Sequence, residues 1–304
     1  PEYTPGFAGA VVVASATLGP IIPPSIPMVI YALVSGASVG ALFLGGVVPG
    51  VCMTILMMSV VHYIACKRNM PREEPIPFKE WPAILFRGAL PLSMPIVLLG
   101  GIYSGAFTPT EAAAVAALHA LVLAAFVFRA LSWKAFWGVV LESTRSSAVI
   151  TIILAGSFML NYAFTSEGVP QAMAAWVDNL HLSRLQFLFM VNALFLILGC
   201  FLDVSVLLLV FVPMLLPAAK LLGVDLVHFG VLVVLNMMIG LIHPPFGMLL
   251  FVTKALTGIP IGDMMREGWM FLVMLLGLLV AMTIFPEIVL WLPRTMGYGT
   301  PGAT

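Results

Sequence analysis

The sequence predicts an all-α polytopic membrane protein with broken helices and a re-entrant hairpin, and three observations carry the prediction. The 304 residues are 62% hydrophobic and 9% charged, with a mean hydropathy of +1.13, which leaves too little polar surface to coat a soluble globule of this size. A Gly/Pro break, LGPIIPPSIP at 18–27, lies inside an apolar segment otherwise suited to crossing a membrane. A related break, IGLIHPPFG, returns at 239–247.

That composition makes the lipid bilayer the environment, and charge balanced at 13 basic and 13 acidic residues with no basic tract leaves no footprint for nucleic acid as a partner. Cys52, Cys66 and Cys200 are far apart, lack metal-ligand spacing and read as small buried apolar residues. The opening PEYTP has neither an initiator Met nor a charged leader, and a fragment lacking an N-terminal part is expected.

Residues 1–38 form the first broken helix. Its halves, 6–18 and 25–36, are each shorter than the roughly 20 helical residues that cross a hydrocarbon core. Ser25 is expected to cap the second half, because its hydroxyl can accept an orphan amide while Pro27 is tolerated in a first turn. Residues 39–183 are assigned to scaffold, beginning with a spanning helix at 39–65. The polar stretch 66–87 carries Lys67, Arg68, Arg72, Lys79 and Arg87, a basic excess that assigns it to the cytoplasmic side. Residues 88–105 span again. Thr110 followed by Glu111 reads as a helix start, and the chain returns along 111–128. From 132 to 146 the apolar residues Trp133, Phe136, Trp137, Val140 and Leu141 stand at helical spacing beside Lys134, Glu142 and Arg145. That pattern predicts an interfacial helix, with a separate apolar helix at 147–164 and a further short interfacial helix before Arg184.

Residues 184–260 are assigned to a second transport segment. Two apolar arms of about 15 residues flank GCFLDVS at 199–205, which predicts a re-entrant hairpin with its tip there. Asp203 lies at that tip. A carboxylate at membrane depth marks either a functional site or a helix cap, and the two roles are compatible. Residues 225–239 lead into the second break and 247–257 leave it. A C-terminal scaffold helix over 268–292 and a polar tail at 293–304 complete the segment 261–304.

The breaks are copies of one another. Laying Pro23 and Pro24 on Pro244 and Pro245 brings Gly9 onto Gly230, Ser15 onto Asn236, Gly19 onto Gly240 and Ile21 onto Ile242. After one inserted residue, Gly36 falls on Gly258 and Gly40 on Gly262. Proline supplies no N–H and disrupts the ladder upstream of it, so each break frees carbonyl oxygens that lipid cannot satisfy. Such oxygens suit a hard cation, Na⁺, while the N-termini of the half-helices favour an anionic substrate group. Ser15, Thr17 and Asn236, just before the breaks, can add side-chain oxygens. His62 and His119 read as packing residues and His228 sits near a helix start. His243, inside the break, is a candidate polar or protonation-sensitive lining group. No His-Glu-x-x-His pair, Gly-x-Ser-x-Gly elbow or phosphate loop is present.

The motifs GPIIPPSIPM at 19–28, FTPTEA at 107–112, HFG at 228–230 and GLIHPPFG at 240–247 together resemble the large permease subunit, DctM type, of TRAP (tripartite ATP-independent periplasmic) transporters. The resemblance covers essentially the whole chain. It implies an inverted-repeat ion-transporter fold of elevator type in a bacterial inner membrane, not an enzyme, without organic cofactor. The implied activity is Na⁺-coupled import of carboxylates, such as C4-dicarboxylates or sialic acid-like sugar acids, or of sulfonates. The implied partners are a small membrane subunit of DctQ type and a periplasmic substrate-binding protein of DctP type. Family members carry a first hairpin and preceding helices before the point where this chain starts, and they usually have Thr where this chain has His243. Carried over residue by residue, the first Na⁺ site uses Ser15, Gly19 and Pro23. The second uses the hairpin tip, Gly199 to Ser205, with Gly240, Ile242 and Pro244. Ser25, Asp203, Ser205 and His243 are the substrate-facing candidates. Two other readings stay open, a passive channel and an intramembrane enzyme built on Asp203 and His243.

Overall fold

The computed structural model describes residues 3–70, 76–244 and 246–298, apart from the side chain of Arg87, and the regular elements among the described residues are all helical. They fall into two compact units, Pro1–Pro71 with Ser157–Thr304, and Arg72–Gly156. Among the described residues six helices are long and apolar enough to cross a membrane: Val39–Lys67, Trp81–Tyr103, Pro109–Val127, Trp133–Ser166, Val204–Leu221 and Ile261–Ile284.

The first unit is built on the repeat. In the first copy α1 (Pro5–Ala16) and α2 (Ile26–Ser35) flank the break and α3 (Val39–Lys67) follows. In the second copy α11 (Leu226–Gly240), α12 (Met248–Thr257) and α13 (Ile261–Ile284) stand at matching positions. The local chemistry matches as well. Thr4 and Asp225 cap α1 and α11 with side-chain oxygens, satisfying orphan amides of the first turn. Gly36 and Gly258 end α2 and α12 in left-handed conformation, φ 74° and 75°, where a Cβ would be strained. Ser25 caps α2 by accepting from the Met28 amide at 3.3 Å, as expected.

Between the copies lie α7 (Val169–Asn179), α8 (Arg184–Gly199), the single turn α9 (Val204–Val206) and α10 (Val212–Leu221), with a π turn at Leu207–Phe211 joining the last two. Helices α8 and α9–α10 are the two arms of the expected hairpin. The second arm, at 18 residues, is longer than the sequence suggested, because the π turn absorbs one irregular stretch without ending the helix. The arms meet close to the tip, and farther from it each finds a different partner, α8 packing on α11 and α10 on α7. The closing apolar stretch is not one helix. Phe285 and Pro286 divide α13 from α14 (Glu287–Thr295), which packs against α3, so helix continues into what was expected to be tail; residues 299–304 lie outside the described residues.

In the second unit α4 (Trp81–Tyr103) pairs with α5 (Pro109–Val122), and α6 (Trp133–Ser166) contributes its residues up to 156. Three expectations need correction. Helix α4 begins at Trp81, inside the stretch expected to be loop, of which 71–75 lie outside the described residues. The cap of α5 is Thr108 rather than Thr110, and Glu111 completes a reciprocal capping box by accepting from the Thr108 amide at 2.8 Å. The separate helices expected at 132–146 and 147–164 are one 34-residue helix, because nothing at Ser146–Ser147 removes an amide or forces a turn. His119 has a partner in Ser93, with Oγ and Nε2 2.7 Å apart.

Candidate functional site

The site is assembled where the hairpin tip meets the second break. Gly199 ends α8 and Gly240 ends α11, and their backbones touch: a Cβ built on Gly240 would lie 2.9 Å from both Cα and C of Gly199. Glycine is required at 240, whereas a Cβ on Gly199 would meet the Gly240 Cα at 3.4 Å, an ordinary contact. Past Gly240 the chain unwinds. Gly247 doubles back over it, so that a Cβ there would lie 2.7 Å from the Leu241 oxygen, and the Leu249 amide donates to that oxygen at 3.1 Å. Among the described residues no backbone amide donates to the carbonyls of Ile242, His243 or Pro244. The break therefore presents a short ledge of oxygens without amide donors beside the tip, two of them within 3.8 Å of the Cys200 sulfur, as backbone accounting required.

Two side-chain contacts fasten the tip to that ledge. The Cys200 Sγ lies 3.4 Å from His243 Nδ1, and the rings of Phe201 and Phe246 meet at 5.3 Å with an interplanar angle of 46°. Next to them is a recess of about 310 Å³ lined by the tip and by Phe246, Met248 and Phe251. Asp203 is exposed and its Oδ1 accepts from the Ser205 amide at 2.8 Å, so the carboxylate caps the second arm while keeping oxygen capacity toward solvent.

The second arm also reaches the first copy, since α2 packs on α9, the π turn and α10. Ser25 is buried, with its hydroxyl donating to the Pro20 carbonyl and accepting from Met28, so both of its usual capacities serve the break itself. Pro23 is buried and joined to Pro24 by a cis peptide bond, and Gly19 is exposed. Ser15 is exposed, with its hydroxyl turned back to the Val11 and Val12 carbonyls at 2.7 and 3.1 Å. The second candidate set is thus gathered on one backbone contact. The first is strung along its break, and the Ser15 oxygen is engaged by its own helix.

Asn236 lies one turn before Gly240 and is buried. Its Nδ2 donates to the Asn192 carbonyl at 2.9 Å and to Asn192 Oδ1 at 3.1 Å. Asn192 Nδ2 donates to Thr283 Oγ1 at 2.8 Å, and Thr283 donates to the Leu279 carbonyl at 2.7 Å. These bonds fix the orientation of the Asn236 amide and leave its Oδ1 buried without a partner, an acceptor that suits a cation. Carbonyl and amide oxygens are the donor type that a hard ion takes.

Sequence reading missed five contributors. Cys200 was taken for a packing residue because its partner His243 is remote in sequence. Gly46 and Gly50 of α3 press on the first break: a Cβ at Gly46 would fall 2.4 Å from the Ile21 oxygen, and one at Gly50 would fall 2.6 Å from Ile22. Asn192 and Thr283 were unremarked polar residues in apolar runs, and that isolation was the available signal.

A multi-pass, all-helical membrane protein with a duplicated broken helix and a hairpin seated on one break has the build of a membrane permease. Its family follows from comparison. Residues 1–288 match the model of the tripartite ATP-independent periplasmic transporter, DctM component, and the chain belongs to that family. It is 41% identical to the C4-dicarboxylate TRAP transporter large permease protein DctM of Pseudomonas aeruginosa, over 97% of this chain and 69% of that protein. It is 38% identical to the sialic acid TRAP transporter large permease protein SiaM of Vibrio cholerae, over 98% and 70%. It is 34% identical to the isethionate TRAP transporter permease protein DctMQ of Oleidesulfovibrio alaskensis, over 94% and 45%.

Proposed function

We propose that this chain forms the Na⁺-coupled part of an importer of small organic anions in the bacterial inner membrane. Its substrate class would be that of the named relatives, a C4-dicarboxylate, a sialic acid-like sugar acid or a sulfonate such as isethionate. The observation that carries the reading is the ledge of amide-free carbonyls at Ile242, His243 and Pro244 held against the tip through Gly199 and Gly240. Na⁺ is the coupling ion and is carried with the substrate. The residues that would hold it are those of the ledge and tip, with the Asn236 oxygen nearby, and for the first break Gly19 and Pro23. Ser15 would need to release its helix carbonyls to take part. Ser205 and His243 would face the anion, while Ser25, buried with its hydroxyl engaged by Pro20 and Met28, would hold the shape of the first break. Asp203, being negative, would serve by capping and by attracting the cation rather than by contact with a carboxylate.

The small membrane subunit and the periplasmic binding protein complete the proposed system, with alternating access of elevator type. The binding protein delivers the anion, and the breaks bind it together with the ion. Reconstitution of the full-length permease with both partners tests this. Uptake should rise against a substrate gradient when Na⁺ is imposed outside and collapse with a sodium ionophore. Downhill flux indifferent to Na⁺ would instead make it a channel, and chemical turnover of the substrate would make it an enzyme. Asp203→Asn keeps the cap and removes the charge, so unchanged Na⁺ dependence in that variant would confine Asp203 to a structural role.

A further inference from the structure

The tip-to-break junction also carries two soft or borderline metal donors, the Cys200 thiol and the His243 imidazole. Cys200 Sγ and His243 Nδ1 are 3.4 Å apart on two elements 43 positions apart in sequence. A tetrahedral zinc centre with Zn–S near 2.3 Å and Zn–N near 2.05 Å places its S and N ligands about 3.6 Å from each other, so the observed spacing needs almost no adjustment. The His243 and Pro244 carbonyls lie 3.8 and 3.7 Å from the same sulfur, oxygens available to fill out a coordination shell together with water. Cys200 lines the recess described above, and its thiol also donates to the Leu196 carbonyl at 3.2 Å, a bond that metal binding would replace.

We propose that Cys200 and His243 form a site for a thiophilic divalent cation, for which Zn²⁺ is the probe, and that the bound ion ties the hairpin tip to the second break. The thiol releases its proton to the medium as the metal–sulfur bond forms. A second Cys–His pair gives the contrast. Cys66 Sγ and His62 Nε2 are 3.6 Å apart, but they stand one turn from each other at the end of α3, so a metal there would bridge nothing that can separate. Only the 200–243 pair joins two elements.

The test uses the full-length protein with every cysteine except Cys200 replaced by serine. Co²⁺ should bind with a thiolate-to-metal charge-transfer absorption. Cys200→Ser should abolish that absorption, and His243→Gln should weaken binding at least about 10-fold, the lower end of what loss of a supporting group costs a metal site. In the otherwise unaltered protein, Zn²⁺ should slow maleimide labelling of Cys200 at least about 10-fold, a measurement that requires no site variant to fold. Full cobalt absorption in His243→Gln, or labelling indifferent to zinc, would overturn the site. Zinc should also inhibit uptake reversibly, with relief by a chelator; undiminished uptake by the zinc-loaded protein would overturn the tie. The cobalt and labelling measurements need no transport, so they fail or succeed independently of the import reading on which the last arm rests.

Discussion

The two breaks share a sequence pattern and differ in what covers them. In the first, α3 of the same copy lies on the unwound segment: Gly46 and Gly50 admit the Ile21 carbonyl and the Ile22 side chain, and Ile21 is fully buried. In the second, the helix that matches α3 stands off. Gly268 occupies the position equivalent to Gly46, yet a Cβ there would meet only Ala10 of the other copy, at 3.7 Å, and a narrow apolar crevice separates Ile242 from α13. The cover of the second break is instead the hairpin tip. Duplicated backbone chemistry thus fixes where the chain unwinds, while the neighbouring helix decides whether the unwound piece is held within its own copy or by a separate hairpin.

Substitutions can break or sharpen this contrast. The largest effect is expected from Gly46→Val, where side-chain atoms have no room against the Ile21 carbonyl. It should cost about 3 kcal/mol or more and abolish uptake together with detergent-resistant folding, read by thermal melting. Gly240→Val should disturb only the tip contact, raising the half-saturating Na⁺ concentration about 10- to 100-fold for a cost of roughly 1.4–2.8 kcal/mol, with the protein still folded. Wild-type Na⁺ activation in that variant would sink the assignment of the second site. Asn192→Ala strips partners from Asn236 and Thr283 and should lower stability by about 1–3 kcal/mol, measured by denaturant or heat. Gly268→Ala, the counterpart of the lethal position, should fall within about 1 kcal/mol of wild type, because its Cβ makes an ordinary contact and Ala favours helix. Removing the exposed Arg68–Glu267 pair should change stability by no more than about 1 kcal/mol even though it is bidentate, at 3.0 and 2.6 Å.

Where local chemistry decides, the sequence was legible. Pro23–Pro24, the capping Ser25 and the left-handed Gly36 announced the broken helix and its boundaries, and the copy at 239–258 announced its partner. The tip at 199–205 was legible because an acidic residue and a glycine interrupt apolar runs. What stayed hidden depends on long-range contact or on the lack of a stop. The fusion of 132–146 with 147–164 into α6 was invisible because amphipathic and fully apolar stretches change composition without changing backbone geometry. The Gly199–Gly240 approach joins residues whose proximity no local pattern encodes. Cys200 with His243, and Asn192 with Asn236 and Thr283, likewise become readable only once α8, α11 and α13 are laid side by side.

The Asn236–Asn192–Thr283 chain of hydrogen bonds limits which parts of the molecule can slide. It links α11, α8 and α13 in a place where water is scarce, and a shear of one helical turn, about 5.4 Å, would strip every bond in it. A rigid body that moves without severing those bonds has to contain all three helices at that level. The dividing surface for any such motion then runs outside α13 near Thr283, and α8, the first arm of the hairpin, travels in the same body as α11.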